Sequence, residues 1–301
     1  MDIFLQQMVN GLTIGSLYAL VALGYTMVYG VMRLINFAHG DLVAFSAFIG
    51  LSVYAQIFGE SVTSLGAIII VFALSALIVA FVGVLLERLA YRPLRTAPRL
   101  SAVVSALGAG LVIQNSVMLI WGPNMKIFPS NLFPSTIWEI GGIVITFTQV
   151  MILGVSSVLM VGLYFFIHQT KIGTAIRAVA IDQDAAKLMG INVNRIIMII
   201  FIIGSALGAV AGLFIGSYYR GITFDMGWMY GLNAFVAAIM GGIGNIPGAM
   251  LGGLLLGLFN AMITGYISTQ WAETFTFVLL IAILVFRPTG ILGETVAEKV
   301  W

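Results

Sequence analysis

Long apolar runs without charged residues make up most of the chain. About 18 such residues are enough to cross the ~30 Å hydrocarbon core of a bilayer. The last run would be roughly 70 Å long as one helix, so it must fold back at least once. The pattern predicts an all-α polytopic membrane protein with about eight transmembrane helices, or nine, and two broken or re-entrant segments. The runs are Ile3–Met32, Leu65–Leu86, Ser101–Met125, Gln149–Ile167, Ile196–Tyr219 and Met226–Ala272.

The amino-acid composition excludes several other classes of protein. Only 8% of the 301 residues are charged, whereas a soluble domain carries about 25%. The net charge of +2 is too small to indicate a nucleic-acid partner. There is no cysteine, and His39 and His168 are the only histidines, so we expect no metal site. The start, Met1-Asp2-Ile3, lacks the basic region of a cleavable signal, so we expect the first run to be a span of the mature protein.

Basic residues indicate which loops face the cytoplasm. They form three groups, which the positive-inside rule places on the inner side. The turn-rich stretch Gly122–Thr148 and residues 217–229 then face outward. The C-terminus falls inside, whereas the side of the N-terminus depends on residues 33–41. The groups are Arg88, Arg92, Arg95 and Arg99; Lys171, Arg177, Lys187 and Arg195; and Arg287 with Lys299.

Two polar, glycine-containing turns interrupt apolar segments, one in each half of the chain. They are residues 33–41, called break 1, and residues 240–248, called break 2. Paired interruptions of this kind point to the translocation region of a transporter. An amide pairs with both ends of a zwitterion without placing a charge in the membrane. Two alternatives stay open. Both breaks are ordinary loops at the membrane surface, or their asparagines only bind backbone groups that lack another partner. The pathway candidates are Asn36, Phe37, His39, Gly40, Asp41, Gly244, Asn245 and Pro247.

The segment Lys171–Arg195, called the coupling segment, has the pattern of an amphipathic helix between two spans. Ala178, Ile181, Ala185 and Leu188 recur on one helical stripe, whereas Arg177 and Asp182 lie mainly elsewhere around the helix. Thr174 is the candidate N-cap, and Gly190 is placed to end the helix in the left-handed conformation. The pattern predicts a helix over 174–190 that docks on a partner, with a solvated surface helix as the alternative.

Four glycines recur at every fourth position in one span. They are Gly204, Gly208, Gly212 and Gly216. Small residues at this spacing share one helix face and allow another backbone to approach closely. Packing within the subunit is the favoured interpretation, and a seam between subunits beside the pore is the alternative.

Several motifs resemble one family in sequence and in order. The stretch RAVAIDQDAAKLMGINV is similar to the coupling segment of ABC-importer permeases, in the variant of the branched-chain amino acid permease family. Residues 10–41, ERLAYRPLR at 87–95, residues 237–257 and RPTGILG at 287–293 are also similar to that family. Asp-Gln-Asp-Ala-Ala stands where better-known importers have Glu-Ala-Ala. The resemblance covers essentially the whole chain, as a single permease domain over 1–301.

The resemblance implies a multi-pass protein of the bacterial or archaeal inner membrane, surrounded by lipid. Its partners would be a second related permease, two ATPase subunits and a periplasmic amino-acid-binding protein. The sequence has no GxxxxGK[ST] motif, so the chain is not expected to be an enzyme or to bind a cofactor. ATP and Mg²⁺ would be bound by the ATPases. The implied substrates are leucine, isoleucine and valine, with urea, short amides and other neutral amino acids left open.

The mechanism expected from this resemblance is alternating access, in which ATP binding moves the coupling segment as a lever. Two other classes stay open. An ion-driven secondary transporter would need membrane-embedded carboxylates, and Asp41 is the one acidic candidate near a break. A membrane scaffold without a pore would need no pathway at all.

Overall fold

The computed structural model describes residues 2–59, 64–95 and 97–293, and these are mainly helical. Eight helices within these ranges are long and apolar enough to span a membrane, which confirms the predicted number. They are α1 (Asp2–Met32), α2 (His39–Phe58), α3 (Leu65–Leu86), α4 (Arg99–Trp121), α5 (Phe147–Gln169), α8 (Val193–Tyr219), α10 (Ile246–Tyr266) and α11 (Thr269–Phe286). The shorter helices are α6 (Lys171–Ile181), α7 (Gln183–Leu188) and α9 (Met226–Gly241).

Helix α1 is the central helix of the bundle. Of its most apolar stretch, 89% is buried, against 6% for the peripheral α11. Glycines let α10 lie directly against it: a methyl group built on Gly257 would come within 2.1 Å of the Gly15 backbone nitrogen. A methyl on Gly253 would come within 2.4 Å of Ala19 Cα. Any larger side chain at these positions would separate the two helices.

Break 1 turns back into the bundle. The chain leaves α1 through Arg33, which has a positive φ of 54°, and α2 begins at His39. The His39 ring packs on Gly24, which lies about 12 Å back along α1 from Met32 at ~1.5 Å per residue. Asn36, Ala38 and Gly40 are buried. Break 1 is therefore a re-entrant connection rather than a surface loop.

Break 2 separates α9 from α10. The 16 residues of α9 would cover about 24 Å, less than a ~30 Å core. Gly242 and Gly244, with φ of 106° and 98°, form the turn. The chain after α11 returns here: Ile291 N donates to Met240 O at 2.9 Å, and Leu292 N donates to Gly241 O at 3.0 Å. Backbone carbonyls at the end of α9, which would otherwise have no partner within the helix, are thereby satisfied within the protein.

The two predicted outer loops contain four short strands, and one strand pair joins the loops. Strand β1 (Lys126–Ile127) pairs antiparallel with β4 (Gly221–Ile222), and β2 (Ile137–Ile140) forms a hairpin with β3 (Ile143–Thr146). The hairpin turns at two glycines with positive φ, as a tight two-residue turn requires. Both loops therefore lie at one end of the bundle, called the outer end. The end that carries the coupling segment is called the inner end.

Two contacts fix the direction of α1, which the sequence left open. Near its start, Gln6 Nε2 donates to Val144 O at 3.0 Å and Gln6 Oε1 accepts from Val144 N at 2.8 Å. At its last turn, Val31 O accepts from Gln183 Nε2 at 3.0 Å. The N-terminus thus lies at the outer end, and α1 runs towards the coupling segment.

The first arginine group is more ordered than the predicted loop. Beyond α3 the chain continues as a π turn (Glu87–Tyr91) and a 3₁₀ turn (Arg92–Leu94). The prediction of a loop there was wrong, because Glu87 and Tyr91 are buried and hold the extension against the bundle. Lys299, assigned to the inner tail, lies outside the described residues.

Candidate functional site

A cavity of about 800 Å³ opens at the inner end of the bundle. The end of α1, the end of α5, the first half of the coupling segment, break 2 and residues following α11 surround it. Its wall is mostly apolar, with two arginines, a histidine, two tyrosines, an asparagine and two threonines as polar groups. The residues that face it are Thr26, Met27, Tyr29, Gly30, Val31, Arg33, Tyr164, Ile167, His168, Ile176, Arg177, Ala180, Ile181, Ile239, Ile243, Gly244, Asn245, Ile246, Pro247, Pro288, Thr289 and Gly293.

Break 2 lines the cavity, and break 1 adjoins it through the end of α1. Gly244, Asn245 and Pro247 face the open space, as do Gly30 and Arg33. The two segments lie close, since a methyl group built on Gly30 would stand 3.6 Å from the Gly244 carbonyl oxygen. Break 2 therefore lies beside the turn of α1 that leads into break 1.

The amides of both predicted asparagines are engaged within the protein. Asn245 caps α10: its Oδ1 accepts from Gly248 N at 3.0 Å, and its Nδ2 donates to Leu292 O at 2.8 Å. Asn36 is 2% exposed, and its Oδ1 accepts from the Tyr91 hydroxyl at 2.9 Å. Asn245 thus binds backbone groups and Asn36 a side chain, and any direct contact of either amide with substrate stays a prediction.

The other break 1 candidates are packed away from the cavity. The Phe37 ring lies 6.2 Å from that of Phe235, and the His39 ring lies edge-on to Tyr25 at 5.0 Å. Gly40 touches the backbone of α9, since a methyl group there would come within 2.2 Å of the Gly227 carbonyl oxygen. Asp41 is partly buried beside Gly110 of α4. These residues set the junction of α2, α4 and α9.

The coupling segment contains two helices rather than one. Thr170 caps α6, its Oγ1 accepting from Gly173 N at 3.0 Å. Asp182 is extended, with φ of −153°, and its Oδ1 accepts from Asp184 N at 2.8 Å and Ala185 N at 3.0 Å. An extended aspartate whose side chain accepts from the backbone N–H groups two and three residues ahead is an N-cap, so one helix ends and another starts at Asp182. The predicted single helix over 174–190 with Thr174 as its cap was therefore wrong.

The two faces of the coupling segment differ sharply in burial. Gly173, Ile176, Val179 and Ala186 are buried against the bundle. Ile181 is 86% exposed and Leu188 is 90% exposed, and Ala185 lies beside them on the open side. Ala178, the first member of the predicted stripe, is partly buried. Large apolar side chains this exposed on a polar segment are typical of a contact surface.

The end and the charges of the segment are also defined. Gly190 has φ of 81° and follows α7, which confirms the predicted left-handed stop. Lys187 Nζ lies 2.8 Å from Asp184 Oδ1, and Arg177 Nη2 donates to Thr174 Oγ1 at 3.4 Å beside the cavity mouth. Both charge signs therefore border the exposed apolar face.

The glycine stripe of α8 faces the inside of this subunit. Methyl groups built on Gly204, Gly208, Gly212 and Gly216 would meet Gly24, His39, the Val43 carbonyl and Phe128, respectively, at 2.1–3.4 Å. The favoured interpretation, packing within the subunit, is confirmed. The alternative of a subunit seam was wrong, because α1, α2 and the outer loop already cover these glycines.

Sequence patterns did not reveal the cavity or the contacts that hold its parts together. Tyr29, Tyr164 and His168 show no spacing that separates them from ordinary membrane-interface aromatics. Glu87 and Tyr91 were visible within a motif, but nothing in the motif indicates their partners.

No group of three or more His, Asp or Glu side chains within 2–59, 64–95 and 97–293 is arranged to hold a metal ion.

Comparison with known proteins identifies a matching family and full-length relatives. Residues 7–284 match the family described as branched-chain amino acid transport system / permease component. The chain is 44% identical to the high-affinity branched-chain amino acid transport system permease protein BraD of Pseudomonas aeruginosa, over 99% of this chain and 98% of BraD. It is 42% identical to LivH of Escherichia coli K12, with the same coverage. The ribose import permease protein RbsC of Escherichia coli K12 is 28% identical over 81% of this chain and 74% of RbsC.

Proposed function

Because this chain belongs to the permease family of branched-chain amino acid transport systems, we propose that it carries leucine, isoleucine and valine across the bacterial inner membrane. It is a multi-pass transport subunit rather than an enzyme. The observation that supports the substrate class is full-length identity of 42–44% to two permeases named for branched-chain amino acids. The more distant ribose permease aligns with a smaller share of the chain.

The exposed face of the coupling segment supports the proposed partners. Ile181, Ala185 and Leu188 would lie in a groove of an ATPase subunit, with Arg177 and Asp182 at the edge. Gly190 fixes where the segment ends. Two ATPases would bind ATP and Mg²⁺, since this chain has no Walker motif. A second related permease would complete the pore, and a periplasmic binding protein would deliver substrate to the outer end.

The cavity is the proposed inner end of the substrate route. Its mostly apolar wall suits a branched aliphatic side chain, and Arg33 and Arg177 at the same cavity attract a carboxylate. Gly244, Asn245 and Pro247 are retained as pathway residues because they face this space. We assign Asn36, Phe37, His39, Gly40 and Asp41 an indirect role, which is to hold the start of α2 in place.

Transport then proceeds by alternating access. Closure of the ATPase pair displaces the coupling segment, and its buried face transmits the displacement to α1, α5 and α8. The elements around the cavity include the ends of α1 and α5 and break 2, so their movement opens or closes the inner side. The substrate needs no tight site in the membrane, because the binding protein captures it outside.

Whole-cell uptake tests the substrate assignment. Cells without branched-chain amino acid uptake receive the companion subunits with or without this chain, and entry of radiolabelled leucine is measured. We expect uptake only with the chain, with competition by excess isoleucine and valine but not by urea. If excess urea inhibited leucine uptake and excess valine did not, the permease would be assigned to amides instead.

A further inference from the structure

The extension of α3, residues 87–95, touches two parts of the protein that the proposed function moves. Glu87 lies in the π turn and its side chain is 2% exposed. Its carboxylate forms an ion pair with the guanidinium of Arg95. This pair joins the two ends of the extension, and Tyr91 lies between them in the sequence.

The first contact of this extension reaches the coupling segment. Arg95 Nη1 donates to Asn194 Oδ1 at 2.5 Å. Asn194 lies in the first turn of α8, directly after α7 and its glycine stop. Arg95, Lys187, Asn192 and Asn194 also border a polar cleft beside α7. Arg95 therefore holds the point where the coupling segment joins the transmembrane bundle.

The second contact reaches break 1. The Tyr91 hydroxyl donates to Asn36 Oδ1 at 2.9 Å, and both side chains are buried. The Tyr91 ring also packs against Phe201 of α8, with the ring centroids 5.3 Å apart. One short helical extension thus contacts the start of α8 on one side and the re-entrant turn on the other.

The buried ion pair makes this extension stiff. Separating Arg95 from Glu87 would leave a carboxylate unpaired in a site with almost no solvent, which is strongly unfavourable. Arg95 consequently moves together with the π turn, and Tyr91 moves with it. π-Helical turns are rare, and many of those known lie at functional sites.

We propose that Glu87, Tyr91 and Arg95 are positioning residues that transmit displacement of the coupling segment to break 1. This inference rests on the proposed function and extends it to a named route. When the partner displaces α7 and the start of α8, Asn194 moves Arg95, and the π turn carries the movement to Asn36. Break 1 then shifts the start of α2 relative to α1 and α9.

Two variants each break one end of this route, at break 1 or at the start of α8, and leave the buried ion pair intact. Tyr91→Phe deletes the hydroxyl and keeps the ring on Phe201, and Asn194→Ala deletes the acceptor of Arg95. Tyr18→Phe and Asn115→Ala are matched controls. Tyr18 is a buried tyrosine of α1 whose hydroxyl contacts Asn260, and Asn115 is exposed and donates to its own helix. The complete complex is reconstituted in proteoliposomes, and leucine molecules transported per ATP hydrolysed are measured.

We expect each test variant to assemble, to retain basal ATP hydrolysis and to lose about fivefold in leucine transported per ATP, the factor of one net hydrogen bond. The double variant should lose no more than either single variant, because the two contacts act in series. The controls should match the unmodified complex. Unchanged transport per ATP in either test variant, additive losses in the double variant, or failure of both variants to assemble would overturn the positioning role. Failure of the unmodified complex to transport leucine would instead contradict the proposed function.

Discussion

Gln183 Nε2 donates a hydrogen bond to the backbone carbonyl of Val31 at 3.0 Å, between residues 152 positions apart. Val31 lies in the last turn of α1, where carbonyls have no partner within the helix. Gln183 is the first residue of α7. The bond therefore ties the middle of the coupling segment to the central helix of the bundle, beside the inner cavity.

Loss of this bond should loosen the coupling segment. Helices as short as α6 and α7 are marginal in isolation, so they depend on tertiary contacts. We expect Gln183→Ala to speed amide hydrogen exchange across residues 171–190 by about fivefold. One net hydrogen bond contributes about 1 kcal/mol, and its loss raises the equilibrium constant for local opening by about that factor. Gln270→Ala, at the exposed start of α11 on the outer end, is the control and should leave that exchange unchanged. Equal exchange in the Gln183 variant and the unmodified protein would show that the bond does not hold the segment.

A charge on the exposed face should block partner binding. Met189 directly follows α7 and is 82% exposed at the inner end, whereas Met125 is 62% exposed at the outer end. Met189 adjoins Leu188 of the proposed ATPase-binding face, so Met189→Glu would place a carboxylate at the edge of the ATPase groove, where an unpaired buried polar group costs ~1–3 kcal/mol. We expect about tenfold less ATPase to co-purify with this permease, and no loss with Met125→Glu. Equal loss in both variants would point to misfolding, and no loss in either would remove this face as the docking surface.

Close packing of α1 on α10 makes Gly257 intolerant of any side chain. The Cβ atom of an alanine would come within 2.1 Å of the Gly15 nitrogen, so one helix must move. We expect Gly257→Ala to lower the free energy of unfolding by roughly 1–3 kcal/mol, seen as a lower thermal midpoint in detergent. Gly154 of α5 has open space around its Cβ position, so Gly154→Ala should cause no such drop. Equal midpoints for the two variants would contradict this packing.

Single cysteines test the orientation directly, because the chain has none of its own. Ile3→Cys and Lys126→Cys lie at the outer end, and Lys187→Cys lies at the inner end with its side chain 58% exposed. In intact cells, an impermeant maleimide should label the first two and leave the third unlabelled until the membrane is opened. Labelling of Lys187→Cys alone would reverse the orientation derived from the basic residues.

Much of the fold can be predicted from the sequence, because a membrane span requires only a long apolar run without charged residues. The six apolar runs and the two breaks were readable from length and composition alone, whereas the side assigned to each basic group stays a prediction. The direction of α1 was not, because it depends on whether residues 33–41 turn back. That turn depends on tertiary contacts such as His39 with Gly24, which have no local signal.

The candidate site was less predictable than the fold. Periodicity identified Ile181 and Leu188 as neighbours on one side, and both are exposed. The periodicity did not predict that Asp182 divides the helix, because an aspartate within a periodic stretch also occurs on the solvated face of a continuous helix. Asn245 Oδ1 has a local partner, Gly248 N, as the cap of α10. The partner of Asn36 Oδ1 is Tyr91 and that of Asn245 Nδ2 is Leu292, each more than 45 positions away, so long-range packing decides these two contacts.

The most direct test of an ATP-driven permease is leucine uptake into proteoliposomes that contain the complete complex. Leucine-loaded binding protein is supplied on its side of the membrane, and Mg²⁺ with ATP is supplied on the side of the coupling segment. Ionophores then collapse every ion gradient. We predict that uptake continues under the ionophores and stops when ATP is omitted or replaced by a non-hydrolysable analogue. Uptake that persists without ATP and ends with the ion gradient would identify a secondary transporter, and absence of uptake under all conditions would indicate a scaffold.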